Sequence, residues 1–157
     1  MGRVGLVRTL KGVIIFLAVM AALCYLEIFP DCIREMGAEN ANAAWLVTPG
    51  IVAVSLSAIP VAIALALFWM ICTEIGRDNS FCRKNARCLS GIGFCALVDT
   101  GYCAVGTVTL EALVGSPIWL LGLGVCVVGL AIALAAFLLS HLVLKAAELK
   151  SENDLTI

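Results

Sequence analysis

An aspartate stands inside one of the chain's apolar runs, "GIGFCALVDTGYCAVGTVTL" (Gly91 to Leu110). Asp99 lies about seven residues past the start of that run, or roughly 10 Å deep at 1.5 Å per residue. A carboxylate at such depth in hydrocarbon costs about 3 kcal/mol. It must face other helices, pair, or take up a proton. That chemistry suits a proton or cation site. It also suits a plainer role, a hydrogen-bonded polar residue that fixes helix register. By type and position the candidate partners are Thr100 and Tyr102, near in sequence, and Ser140 and His141 on the last apolar run. His141 is the only histidine. A cation near a helix C-terminus is favourable, but one histidine builds no His-cluster metal site.

The eight cysteines do less than their number suggests. No C-x-x-C occurs, so zinc-ribbon and thioredoxin-like spacings are missing. Cys24, Cys72, Cys95, Cys103 and Cys126 fall in or at the ends of apolar runs, where cysteine behaves as a small hydrophobe. Cys82 and Cys88 are the pair to consider for redox or metal chemistry, and a structural use is the simpler expectation. No G-x-x-x-x-G-K-[ST], H-E-x-x-H or G-x-S-x-G is present. Neither an enzyme nor a cofactor is expected, and no catalytic or metal residue is assigned.

Positive charge gathers in "TEIGRDNSFCRKNARCL" (Thr73 to Leu89), which holds Arg77, Arg83, Lys84 and Arg87, four of the ten basic residues. With Ser80 as an N-cap and 100° per residue, Phe81, Cys88, Leu89 and Ile92 share one face. Arg83, Lys84 and Arg87 share the other. The spacing predicts a short amphipathic helix leading into the third apolar run. Its cations would meet anionic lipid as a topology anchor, or form a docking surface for a partner. Four cations without interleaved aromatic residues make no nucleic-acid platform, and the net charge of -1 gives no global field towards one.

The elements that must carry these residues follow from composition. The chain is 62% hydrophobic and 13% charged, with a mean hydropathy of +1.09. Soluble domains have about half their residues apolar and about a quarter charged, so the bilayer is the expected solvent. Four apolar runs, at about 12–29, 50–72, 91–110 and 117–144, reach the ~20 residues that a helix needs to span hydrocarbon. Between the second and third lies the basic loop 73–90, and residues 145–157 form a tail. Thr48-Pro49 and Ser116-Pro117 each read as a hydroxyl N-cap followed by proline at the first helical position. Pro30 should close the first run, and Pro60 should kink the second. The first run has a basic front, but it is long for a signal peptide and "ANA" at Ala41 to Ala43 lies well downstream, so a retained helix is expected. Small residues recur every fourth position at Ala58, Ala62 and Ala66, at Gly129 and Ala133, and at Ala136 and Ser140. Such stripes let helices approach within one chain or across a homo-oligomer.

With four crossings, nine of the ten Lys and Arg fall on one side and only Arg34 on the other. The positive-inside rule then places both termini in the cytoplasm. The expected fold is all-α: a polytopic membrane protein with four transmembrane helices in an antiparallel bundle, in the bacterial inner membrane with its anionic inner leaflet.

"GRDNSFCRKNARCLSGIG" resembles the segment G-x-P-F-[ST]-x-E-N-[AV]-x-R-L-x-x-I-G of the YoaS-like family of small four-helix bacterial membrane proteins, a domain of unknown function. Gly76, Phe81, Asn85, Ala86, Leu89, Ile92 and Gly93 carry the match. The ending "LKSENDLTI" is similar to that family's L-x-x-E-x-D-L-T-I at Leu149, Glu152, Asp154, Leu155, Thr156 and Ile157. Asn79 stands where the family has proline, and Arg83-Lys84 replaces its acidic residue. Members are often encoded beside a small helix-turn-helix regulator, so the resemblance implies a regulatory membrane component whose loop and tail bind such a partner. Glu152 or Asp154 in a docked tail could then meet Arg83, Lys84 or Arg87. The alternative from another class is a small oligomeric transporter or channel that uses Asp99.

Overall fold

The computed structural model describes residues 3–39, 41–77, 81–115 and 119–154, and among these there is no strand. Lipid offers the backbone no hydrogen-bond partner, so a chain of this composition satisfies its amides within helices. Helix α1 (Arg3–Leu23) runs through a π turn (Cys24–Ile28) directly into α2 (Phe29–Glu39). A 3-10 segment (Ala41–Leu46) leads into α3 (Val47–Gly76), followed by α4 (Arg83–Val114) and α5 (Trp119–Asp154). Counting α1 to α2 as one, four helices are long and apolar enough to cross a membrane.

The helices are antiparallel and pack in chain order. Val7 of α1 lies beside Gly76 of α3, and the Lys11 ammonium sits 4.9 Å over the Trp69 ring. Tyr102 of α4 donates a hydrogen bond of 2.9 Å to the Ala53 carbonyl of α3. Ser140 of α5 donates one of 2.7 Å to the Ala86 carbonyl of α4. These pairings put the start of α1, the end of α3, the start of α4 and the end of α5 together, at what we call the basic end. Among the described residues α1 touches neither α4 nor α5, so the bundle is open. Its accessible surface is 10520 Å², against about 7,500 Å² for a folded soluble monomer of this mass. Much of the excess is apolar, with Phe16, Leu121 and Leu138 among the large exposed side chains. Lipid is the solvent that such a surface fits.

The closest seam joins α4 to α5. Thr107, Thr100 and Gly93, seven residues apart on α4, face Gly122, Gly129 and the Ala133–Phe137 turn on α5. A Cβ added at Gly129 would collide with the Thr100 side chain, so only glycine permits this approach. Ala133 and Ala136 are buried in the same seam. Helices in lipid gain little from hydrophobicity between them, and close van der Waals contact takes its place. The stripe at Ala58, Ala62 and Ala66 behaves differently: Ala58 is half-buried, while Ala62 and Ala66 are exposed on the outer side of α3. The inward side of that helix is carried by Ser57, Ile71, Cys72 and Glu74.

Several boundaries differ from the sequence reading. Pro30 does not close the first helix. Proline clashes with the carbonyl four residues back, but the preceding turn is π, with the Phe29 N–H bonded five residues back to the Cys24 carbonyl. The wider turn makes room for the ring, and the helix continues to Glu39. Thr48 is not an N-cap. Leu46 occupies that position in αR geometry with no side-chain bond, because the 3-10 segment already presents carbonyls to the first turn of α3. Pro60 lies inside α3, which runs on past it to Gly76. Ser80, Ser116 and Pro117 lie outside the described residues. Helix α4 ends at Gly115, whose φ of 63° is the left-handed conformation that glycine adopts readily and whose N–H reaches the Glu111 carbonyl at 2.9 Å.

Candidate functional site

Two groups of polar side chains stand out against the apolar background. The first lies mid-helix. The π turn presents Tyr25 towards α3, where Tyr25 Oη lies 3.3 Å from Ser57 Oγ and can donate to it, since the Ser57 proton goes to the Val54 carbonyl at 2.9 Å. Asp99 sits on the neighbouring stretch of α4, within electrostatic range of the Tyr25 phenol and the Cys103 thiol. Its Oδ1 is buried and has no hydrogen-bond partner. None of the four expected partners serves it. Thr100 donates to the carbonyl of Ala96 in its own helix, and Tyr102 is committed to Ala53. The Thr100–Gly129 contact sets the level of Asp99 on α5, and Ser140 and His141 lie about 16 Å further along that helix. Ser140 is bonded to Ala86, and His141 is exposed. Tyr25 and Ser57 were missed by the sequence reading, since nothing in "CYLEIF" marks a π turn.

The second group is at the basic end. The stretch read as a loop is largely helix: α3 continues to Gly76 and α4 begins at Arg83, with Cys82 as its N-cap. Cys82 Sγ accepts the Asn85 N–H at 3.4 Å. Phe81 precedes the helix and is 55% exposed. Phe81 therefore drops off the expected apolar face, while Cys88, Leu89 and Ile92 stay turned from solvent and Arg83, Lys84 and Arg87 are exposed. Asn85, Ala86 and Cys88 point into the bundle, with Asn85 2% exposed. The three cations also separate. Lys84 turns to α3, where its Nζ donates to Glu74 at 2.6 Å, and Arg77 approaches the same carboxylate at 3.9 Å. Arg83 and Arg87 turn to α5. They line a groove of about 340 Å³ together with Ser90, Ser140, Leu144 and Glu148. Glu74, Ser90 and Glu148 were missed by the sequence reading. The short separation of Glu74 from Lys84 in sequence, between two apolar runs, is the signal that would have found the first.

Glu74 and Lys84 lie beyond the apolar runs 50–72 and 91–110. The Lys84 hydrogen bond holds the Glu74 carboxyl below the usual carboxylate range, and Glu74 in turn raises the Lys84 ammonium. Stability from this pair is present above the ordinary carboxylate pKa. It is lost as pH falls through the lowered one.

The thiol cap gives a direct test. Sulfur is a weak acceptor, so Cys82→Ser should strengthen the cap and Cys82→Ala should weaken α4 by less than the ~1 kcal/mol that a hydroxyl or carboxylate cap contributes. Thermal unfolding in detergent should rank the variants Ser, Cys, Ala. An alanine variant as stable as the serine one would show that the cap contributes nothing.

Among the described residues no group of His, Cys, Asp and Glu could hold a metal ion, and the cysteines are free thiols. The tail residues Glu152 and Asp154 fall at the end of α5. Leu155, Thr156 and Ile157 lie outside the described residues, as does the Asp154 side chain. No curated protein and no solved structure matches the chain. The sequence model of one family, proteins of unknown function designated DUF2975, matches residues 32–157 and so takes in α3, α4, α5 and most of α2. The chain, with its four apolar helices, belongs to that family.

Proposed function

We propose that this protein is a non-enzymatic, multi-pass component of the bacterial inner membrane with both termini cytoplasmic, whose basic end recruits a cytoplasmic partner. The observation that carries this reading is the way α5 outlasts its neighbour. Ser140 lies opposite Ala86, so the last turns of α5 continue past the start of α4. They carry Leu149, 67% exposed, between Glu148 and Lys150, and Phe81 is exposed at the same end. Apolar side chains ringed by charge, on a segment outside the apolar runs, suit a protein partner. The resemblance to the YoaS-like family points to a soluble helix-turn-helix regulator as that partner.

Phe81→Ser with Leu149→Glu should remove the cytoplasmic partner from the purified membrane complex, and Asp99→Asn should leave it bound. Undiminished recovery by the double variant sinks this reading. Orientation has its own test. Cys32, exposed at the far end, should react with a membrane-impermeant maleimide in intact spheroplasts, and Cys82 should not. The opposite pattern would invert the topology.

A second reading is favoured by the buried, unpartnered Asp99 Oδ1. It makes the protein a small oligomeric transporter or channel. In liposomes Asp99→Asn should then abolish proton- or ion-coupled flux, and the Phe81 and Leu149 changes should not.

A further inference from the structure

We infer that the groove between the start of α4 and the end of α5 binds the phosphate of an anionic phospholipid. It stands apart from the proposed partner surface, which uses Phe81 and Leu149. Three observations lead there. First, Arg83 and Arg87 are four residues apart and so share a helix face. Neither guanidinium is within 4.0 Å of a described carboxylate, whereas Lys84 and Arg77 are both drawn to Glu74. Second, hydroxyl groups adjoin the cations in the same groove: Ser140 on α5, bonded to the Ala86 carbonyl, and Ser90 on α4, further inward. Third, the stripe continues into apolar surface. Steps of four and three residues from Arg83 pass Arg87 and Ser90 and reach Phe94, 65% exposed, and then Leu97, 38% exposed. Cation, hydroxyl and hydrocarbon succeed one another along α4 in the order in which a phospholipid presents phosphate, glycerol and acyl chain. That order favours a lipid over a free phosphate.

Glu148 is also in the lining. It is exposed and its charge opposes an anion, so it sets the affinity from the other direction. Basic pockets between helices at the anionic leaflet are a known mode of headgroup recognition.

Native mass spectrometry of the full chain in detergent, titrated with phosphatidylglycerol, phosphatidylcholine and inorganic phosphate, tests the assignment. Phosphatidylglycerol should bind most tightly. Arg83→Gln with Arg87→Gln should weaken it about 30-fold, near fivefold for each cation. Arg77→Gln removes the same charge outside the groove and should change little. Glu148→Gln should tighten binding, a gain that misfolding cannot mimic. Unchanged affinity in the double variant would overturn the site. Equal loss in Arg77→Gln would overturn it in favour of a diffuse surface field. Inorganic phosphate binding as tightly as the lipid would overturn the lipid as its occupant.

Discussion

Gly129→Leu should part α4 from α5. The added side chain has to occupy space already filled by Thr100, whose hydroxyl is anchored to the Ala96 carbonyl. Overpacking a filled core costs about 1–3 kcal/mol. The upper part of that range applies here because close contact is the chief attraction between helices in lipid. The control is Gly124→Leu, five residues earlier on the same helix, where an added Cβ meets nothing within 4 Å. That variant should be neutral or slightly stabilising, since glycine is a poor helix former. Circular dichroism during titration with a denaturing detergent measures both. Equal stability of the two variants would refute the close seam. The smaller change Gly129→Ala should be harmful in the native background and tolerated beside Thr100→Ala, a coupling expected only for residues in contact.

Asp99→Leu should act in the opposite direction. A buried carboxylate oxygen without a partner carries its desolvation uncompensated. Leucine removes that charge and adds apolar contact, so stability should rise by about 2–3 kcal/mol on membrane-insertion scales. Asp99→Asn should fall between the two. The same unfolding assay decides, and a clear loss in the leucine variant would mean that the carboxylate is satisfied after all. If stability rises while ion-coupled flux in liposomes disappears, the acid is kept for function at the expense of the fold, a common exchange at working sites.

The spans were legible because hydrocarbon imposes a length and a composition, and both are visible in a single sequence. Antiparallel order followed from successive spans joined by short connections. What escaped reading was which neighbouring helix each side chain meets. Arg83, Lys84 and Arg87 share the outer side of α4, but Lys84 reaches Glu74 on α3 while Arg83 and Arg87 line the groove with α5, a division set by how α4 sits between its neighbours. Small-residue stripes were equally ambiguous. Gly129–Ala133 lies in the α4–α5 seam, whereas Ala62 and Ala66 face outward, because α3 meets its neighbours on the Ser57 and Cys72 side. Two of the partners expected for Asp99, Thr100 and Tyr102, are committed to backbone carbonyls, and the other two failed for a reason of distance. Sequence gives residue types, and only the register of α4 against α5 shows that Ser140 and His141 lie too far along the helix.

Packing each helix only on its neighbours in the chain has a consequence for biosynthesis. Each span can dock as soon as it leaves the insertion machinery, with no need to wait for a distant segment to close a ring. Low contact order of this kind favours rapid assembly. It also confines damage: a fault between α4 and α5 leaves the Lys11–Trp69 clasp between α1 and α3 intact.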